Sequence, residues 1–272
     1  MSIPVGWCEG DRFPSLLAAP IGGVSTGEIT MAAVTLLEWD SEFFGFPIAK
    51  TGLQNEISDV SLLRDAIVAT GCRLCYIYAE DVAGNATAIA MGAKLVDRRT
   101  LLRRALSPKD GRKTGVCDGN IAIPSDLPRL RELALQSAQF SRFRTDPAMP
   151  TDAWVRLYER WADNSLAGTM ADAVLVVRVA GEVVGMLTVG CRDGAGTIGL
   201  FAVDQTARGR GFGTALLDRG SAWFSEQGCT TASVVTQGDN LAAQRLYERA
   251  GYAIAEVTDV YHLWLASKGG LE

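Results

Sequence analysis

The sequence predicts an α/β fold: a mixed, mostly antiparallel central sheet flanked by helices, preceded by a smaller α/β domain. Three observations predict it. Strand-like and helix-like apolar periodicities alternate along most of the chain. Three successive strand patterns, "AVLVVRV", "EVVGMLTVG" and "TIGLFAV", are joined by turns so short that neighbours must run antiparallel. The last of them passes into a helix pattern through "AVDQTARGRGFGTALLDR", which spends glycine at 209, 211 and 213.

Residues 1–33 read as a loosely ordered extension: "MSIPVGWCEGDRFPSLLAAPIGGVSTGEIT" has no early Lys or Arg, and its apolar parts are broken by prolines, glycines and acids, which makes a poor leader. The first domain is expected over 34–115. Within it "VTLLEWDSEFFGFPIAKTGL" reads as a strand, a turn around Phe44 to Pro47 and a second strand. "SDVSLLRDAIVATG" has an Asp-containing start, helical spacing and a Gly stop, so it is a helix. "RLCYIYAE" is a buried strand, and "NATAIAMGAKLVDRRTLLRRAL" is a short helix stopped at Gly92 and followed by a strand.

Ser107 to Gly119, rich in turn formers and charge, reads as a linker. The second domain is expected over 116–272. It opens with a helix in "PSDLPRLRELALQSAQFS", capped by Ser125 or Asp126 and carrying Leu130, Leu133 and Ala134 inward. A second helix follows near "TDAWVRLYERWADNSL", then the three strands. "FGTALLDRGSAWFSEQG" places Leu216, Leu217, Gly220, Trp223 and Phe224 on one helical face, and a strand "TASVVT", a helix "NLAAQRLYERAGY" and a closing strand "AIAEVTDVYHLWLA" complete the chain. The two segments that start at Asn85 and Asn240 echo one another as helix, Gly stop and long strand.

Composition narrows the function classes. Hydrophobic residues make up 48% of the 272, charged residues 21%, and the formal charge is −5. A whole-surface positive field for nucleic acid is therefore excluded, and no apolar run reaches the ~18 residues of a membrane span. Six scattered cysteines without a leader imply reduced thiols and a cytoplasmic protein. The CxxC in "CRLCYIY" lies in an apolar strand with no second pair for zinc, so it reads as structural; no metal is expected.

The glycines need a reason, because glycine costs order in regular structure. A helix start exposes unpaired N–H groups and the positive end of the dipole, which together form an anion site. Bare backbone at 209, 211 and 213 would let those groups close on a phosphate, and Arg208 and Arg210 add charge beside it. A Walker loop would end in Gly-Lys-Ser/Thr, whereas here Gly213 is followed by Thr214. The dinucleotide fingerprint needs its third glycine one residue later and a βαβ unit around it.

"VDQTARGRGFGTALL" closely resembles the coenzyme A pyrophosphate loop of the GNAT superfamily of N-acetyltransferases, whose pattern is Arg/Gln-x-x-Gly-x-Gly/Ala; Arg208, Gly211 and Gly213 fill its defining positions. Gln205 departs from it, standing where many members have proline. The resemblance spans about Ile121 to Leu265. It implies acetyl-CoA held by Ala202, Val203, Arg208, Gly209, Arg210, Gly211, Gly213, Thr214, Asn240 and Ala243, and direct attack by an amine on the thioester. It further implies that backbone N–H groups near Leu200 or Phe201 meet charge on the acetyl oxygen, and that Tyr247 donates a proton to the departing thiolate. Asn240 and Tyr247 are seven residues apart, so on a helix they share a face about 10 Å apart. Read alone, Tyr247 can also be an ordinary core aromatic next to Leu246.

A narrower resemblance joins "LEWDSEFFGF", "QSAQFSRFR" and the coenzyme half to the TDP-fucosamine acetyltransferases, which acetylate the 4-amino group of a TDP-linked 4-amino-4,6-dideoxyhexose. For such an acceptor Arg142, Phe143 and Arg144 can supply cations for the diphosphate and an aromatic face for the base. The arginines at 98, 99, 103 and 104 are the alternative, or else a solvated edge. Phe44 and Glu42 are weaker candidates, equally readable as core and turn. The general base is not legible: His262, the one histidine, is either a packed residue or a proton acceptor. Another small amine, an amino acid or a protein N-terminus is the alternative acceptor. A noncatalytic acyl-CoA-sensing module is the competing class, against which Tyr247 argues. The sequence leaves a homodimer open.

Overall fold

The computed structural model describes residues 34–55, 59–107 and 120–266. The expected extension 1–33 and all of the expected linker after Ser107 and before Asn120 lie outside the described residues. The described chain forms two compact units, residues 34–99 with 257–266, and residues 100–256.

The first unit runs β1 (Thr35–Leu36), α1 (Glu38–Phe44), β2 (Ile48–Leu53), α2 (Val60–Ala69), β3 (Leu74–Ala79), α3 (Val82–Ala90), the start of β4 (Lys94–Ala105) and the end of β10 (Ala253–Trp264). Its strands lie in the order β1-β2-β3-β10. β2 and β3 are parallel, as a helical crossover between them requires, and the outer pairs are antiparallel. α2 begins where Asp59 accepts from the N–H groups of Ser61 and Leu62 at 2.9 and 3.1 Å. The core collects Leu53, Ile67, Ile77 and Leu263 with the pair Cys72 and Cys75, whose thiols are free and buried.

The expected strand-turn-strand around "LEWDSEFFGF" is corrected: residues 38–44 are helical. Aromatic residues dominate the segment and favour strands in general, yet the pairs that matter are four apart. Trp39 stacks on Phe43 at 5.1 Å, and Asp40 and Phe44 are both buried. Ser41 secures the turn by donating to Leu37 O at 2.6 Å and accepting from Ile48 N–H at 2.8 Å.

The second unit carries β5 (Asn120–Ile121), a 3-10 turn (Pro124–Asp126), α4 (Leu127–Ser137), the short α5 (Arg142–Thr145) and α6 (Ala153–Leu166). β6 (Ala173–Val179), β7 (Glu182–Arg192) and β8 (Ala195–Val203) follow, then α7 (Phe212–Glu226), β9 (Thr231–Gln237) and α8 (Leu241–Arg249). The strand order is β4-β9-β8-β7-β6-β5, with β6, β7 and β8 antiparallel, as their short turns dictate, and β8 and β9 parallel. Leu130, Leu133 and Ala134 of α4 are buried, and so are all five predicted inward positions of α7. Asp126 stands at the start of α4 but does not cap it; its carboxylate accepts from Ile123 N–H and grips Arg178 through two hydrogen bonds.

Both twelve-residue strands are shared. The division between units falls between Arg99 and Thr100 in β4, and between Glu256 and Val257 in β10. Domains cut in sequence order, 34–115 and 116–272, would keep each strand whole. The echo seen in the sequence reappears here: α3 and α8 have nine residues each, and each precedes one of these strands. Cys191 and Cys229 lie next to one another, Cα to Cα 6.7 Å. No helix among the described residues is long and apolar enough to cross a membrane.

Candidate active site

β8 begins paired on both edges and ends paired on one. Its parallel contact with β9 covers Ala195–Ile198 against Thr231–Val234 and stops, although β8 continues to Val203 and β9 to Gln237. Its contact with β7 continues through Phe201, Ala202 and Val203 opposite Leu187, Met186 and Gly185. A register shift at Thr188, where two residues of β8 oppose one of β7, marks the place where β8 turns away.

Main-chain alternation then decides which groups face the opened edge. The Leu200 N–H donates to Thr188 Oγ1 at 2.7 Å, and the Asp204 N–H to Val184 O at 2.8 Å, so the even-numbered amides point at β7. The odd-numbered groups of Phe201 and Val203 point the other way, where β9 has left. Of the two amides expected to meet an acetyl oxygen, Leu200 is therefore committed to Thr188 and Phe201 faces the gap. An unpaired strand edge of this kind accepts an extended, amide-bearing ligand through main-chain hydrogen bonds.

The edge runs into the glycine loop. After Asp204 a 3-10 turn (Gln205–Ala207) leads to Arg208, whose Nε donates to Val203 O at 3.1 Å. Gly209 and Gly211 have φ of 76° and 84°, a conformation costly for residues with a Cβ, and a Cβ added at either would meet nothing within 4 Å. Glycine serves backbone conformation there and leaves open space beside it. Gly213 differs, and the expectation that it clears space for a phosphate is corrected: its added Cβ would lie 3.0 Å from Leu246 Cδ2 and 3.5 Å from Phe201 Cζ. It brings α7 close to α8 and β8.

Gly211 is the N-cap of the fifteen-residue α7 and no side chain caps that end, so the amides of Phe212, Gly213 and Thr214 stand without a side-chain acceptor. Arg208 and Arg210 are exposed beside them, Arg210 lying 5.1 Å over the Phe212 ring.

α8 closes the site. Asn240 caps it by accepting from Ala243 N–H at 3.2 Å, which commits its side-chain oxygen and leaves its NH2 group for other contacts. Seven residues on, Tyr247 is buried, with its ring 5.9 Å from both Phe201 and Tyr252. Desolvation pushes its phenol well above the ordinary value, with a smaller push from Tyr252. The phenol is therefore neutral, with its proton in place.

The sequence reading missed the groups that hold the loop. Asp204 is buried and accepts from the Thr206 N–H, the Thr206 hydroxyl, Gln136 Nε2 and Arg129, which together hold its carboxyl well below the usual range. The signal available was an Asp two residues before a Thr, the spacing of an Asx turn; the partners on α4 are about seventy residues away and carry none.

Residues 131–252 match the Acetyltransferase (GNAT) family. A dTDP-fucosamine acetyltransferase of Escherichia coli O6:H1 is 30% identical over 223 residues, covering 81% of this chain and 93% of that one. The chain belongs to the GNAT acetyltransferase family. It is an N-acetyltransferase by that membership, and the family uses acetyl-CoA as cosubstrate. The spore coat polysaccharide biosynthesis protein SpsD of Bacillus subtilis is 33% identical over 141 residues, 52% of this chain and 48% of that one. A GCN5-related N-acetyltransferase from Sphaerobacter thermophilus superposes with a TM-score of 0.59 at 16% identity, over 86% of this chain and 77% of that one, which shows the shared fold.

The acceptor candidates of this acetyltransferase are placed less simply than its loop. Phe143 is buried, edge-on to Trp161 at 6.4 Å, so it is a core residue and not a platform for a base. Arg142 is buried too, 4.5 Å over the Phe143 ring, and only Arg144 of the three is exposed, lying 4.7 Å over Trp154. Phe44 is buried, edge-on to Phe43 at 5.0 Å, which corrects its reading as a substrate contact. His262 stacks on Tyr76 at 5.0 Å within the first unit and is fully buried. Of the alternative arginines, Arg98 pairs with Asp259 at 3.0 Å, Arg104 donates to Ala250 O at 2.8 Å and lies over Tyr252, Arg99 is buried and Arg103 is exposed.

Proposed function

We propose that the chain transfers the acetyl group of acetyl-CoA to a primary amine on a nucleotide-linked amino-deoxy sugar, by direct attack in a ternary complex. The observation that carries the donor half is the departure of β8 from β9 beyond Ile198, with the freed edge running straight into an uncapped helix start. An extended pantetheine arm fits the Phe201 and Val203 groups, and its pyrophosphate the amides of Gly209 to Thr214, with Arg208 and Arg210 adding charge. The open space at Gly209 and Gly211 supports this fit.

In the reaction the amine nitrogen forms a bond to the thioester carbon, the carbonyl oxygen gains negative charge, and the Phe201 N–H meets it. The C–S bond then breaks, and Tyr247, neutral throughout the working range, supplies the proton that the sulfur takes up. The attacking nitrogen, cationic in the tetrahedral intermediate, gives its proton to solvent or to a base as the amide forms, and Tyr247 regains a proton from solvent.

The acceptor half rests on the relatives, one named for a dTDP-linked amino sugar over nearly its whole length and one for a polysaccharide pathway. Arg144, exposed near α6, is the candidate diphosphate contact that remains open to solvent. The test is mass spectrometry of TDP-amino sugars incubated with protein and acetyl-CoA. An acetyl mass shift on the sugar amine, with release of free thiol, is expected; thiol release with simple amines or amino acids but no TDP-sugar would overturn the acceptor.

A further inference from the structure

We infer that Gln136 is a positioning residue for the phosphate loop, a latch that holds the loop's first turn in its binding shape; this rests on the coenzyme reading above. Gln136 lies on α4, half-buried. Its Oε1 accepts from the Gln205 N–H at 2.9 Å, and its Nε2 donates to Asp204 Oδ2 at 3.1 Å. One primary amide thus grips two consecutive residues at the end of β8.

The chemistry restricts the position to glutamine. The Gln205 N–H opens the 3-10 turn, where no earlier helical carbonyl can receive it, so it needs an acceptor from outside. Asp204 is charged and needs donors. Glutamate would satisfy the first need and repel the second, and alanine satisfies neither. Asp204 is anchored on its other side by Arg129, which also donates from Nε to Val183 O at 3.0 Å, so the turn is tied to both α4 and the start of β7. Arg129 also balances a negative charge that would otherwise sit four residues before Arg208 and oppose an incoming phosphate.

The latch acts three residues before the first group that would touch phosphate, Arg208. Ala207 closes the turn by donating to Asp204 O at 2.9 Å and is itself buried, and Arg208 and Gly209 follow directly. A turn fixed in advance spares the coenzyme the entropic cost of ordering it.

The same geometry supplies a rescue. Gln205 holds the first position of a helical turn, and Asp204 before it is extended, with φ −48° and ψ 135°. Both suit proline at 205: its ring presets the helical φ, it tolerates an extended predecessor, and it has no N–H that needs a partner. Gln205→Pro should therefore replace the Gln136 half of the latch from within the backbone.

The experiment is calorimetric titration of coenzyme A, with steady-state kinetics in acetyl-CoA, on wild type, Gln136→Ala, Gln136→Glu and the double variant Gln136→Ala/Gln205→Pro. Gln136→Ala and Gln136→Glu should raise Kd and the KM for acetyl-CoA about tenfold, while kcat at saturating donor changes less than about twofold. The double variant should return Kd to within about threefold of wild type. Wild-type affinity in Gln136→Ala, or a loss that the proline fails to recover, would overturn the latch while leaving the coenzyme reading intact. Absence of coenzyme A binding by the wild type would overturn both.

Discussion

Tyr247 shows how burial sets a protonation state. A phenol in water ionises near ~10, but with Phe201 and Tyr252 around it the charged form loses its hydration and the neutral form persists. Tyr247→Phe should lower kcat at least about a hundredfold, within the range for one general acid, and change KM for acetyl-CoA less than about threefold. Steady-state kinetics checks both, and equal turnover would remove the role. Asp204 works in the opposite direction. Its folded value lies below the unfolded one, so its contribution to stability is complete above the ordinary value of 3.8 and is lost as pH falls below it. Thermal melts of wild type and Asp204→Asn should differ most near neutral pH, with the gap beginning to narrow as pH falls through the ordinary value of 3.8 and closing only in stronger acid. A gap that stays constant over that range would show that the carboxylate charge contributes nothing. That Asn240 and Tyr247 share a helical face was legible in the sequence, because seven residues make two helical turns; the network at Asp204 was not, because its partners Gln136 and Arg129 belong to a distant helix.

At the scale of elements, the three glycines separate into two kinds. Gly211 sits at φ 84°, where any side chain is strained, whereas Gly213 is an ordinary helical residue limited by one flexible leucine tip at 3.0 Å. Gly211→Ala should cost about 1 kcal/mol in stability and also weaken coenzyme A binding about tenfold or more by moving the amides of the helix start. Gly213→Ala gains about 0.5–1 kcal/mol of helix propensity against a crowding cost of similar size, so its Tm should move less and its Kd stay within about threefold. Calorimetry on the two variants decides; equal loss of affinity would show that the missing side chain of Gly213 also clears space for the phosphate. The order of strands and helices from β6 to β10 was legible because short turns and the strand-to-helix change of period are local signals. α1 was not legible, since seven residues rich in aromatics match both periods, and the i,i+4 pairs Trp39–Phe43 and Asp40–Phe44 become decisive only against a core.

At the scale of the whole molecule, the sequence signals a linker at Ser107–Gly119, while compactness divides the chain inside β4 and β10. Composition marks where a chain is polar and cannot report which sheet a strand completes. The difference has a consequence for dissection. A fragment covering only 116–272 contains the whole coenzyme motif yet lacks Thr100 to Ala105, the part of β4 that borders β9 in the unit's strand order. It also loses Leu102, fully buried among Leu187, Leu216 and Val234, and Arg104, which holds the carbonyl of Ala250 at the end of α8. Removing a buried leucine costs about 2–5 kcal/mol, a large share of the net stability of a domain, and β9 would be left with a bare edge. Expressed alone, 116–272 should aggregate or melt without cooperativity by circular dichroism and give no heat with coenzyme A, whereas the full chain melts cooperatively. A soluble fragment that binds coenzyme A like the full chain would show that β4 contributes nothing essential to this unit, and that the linker in the sequence is the working boundary.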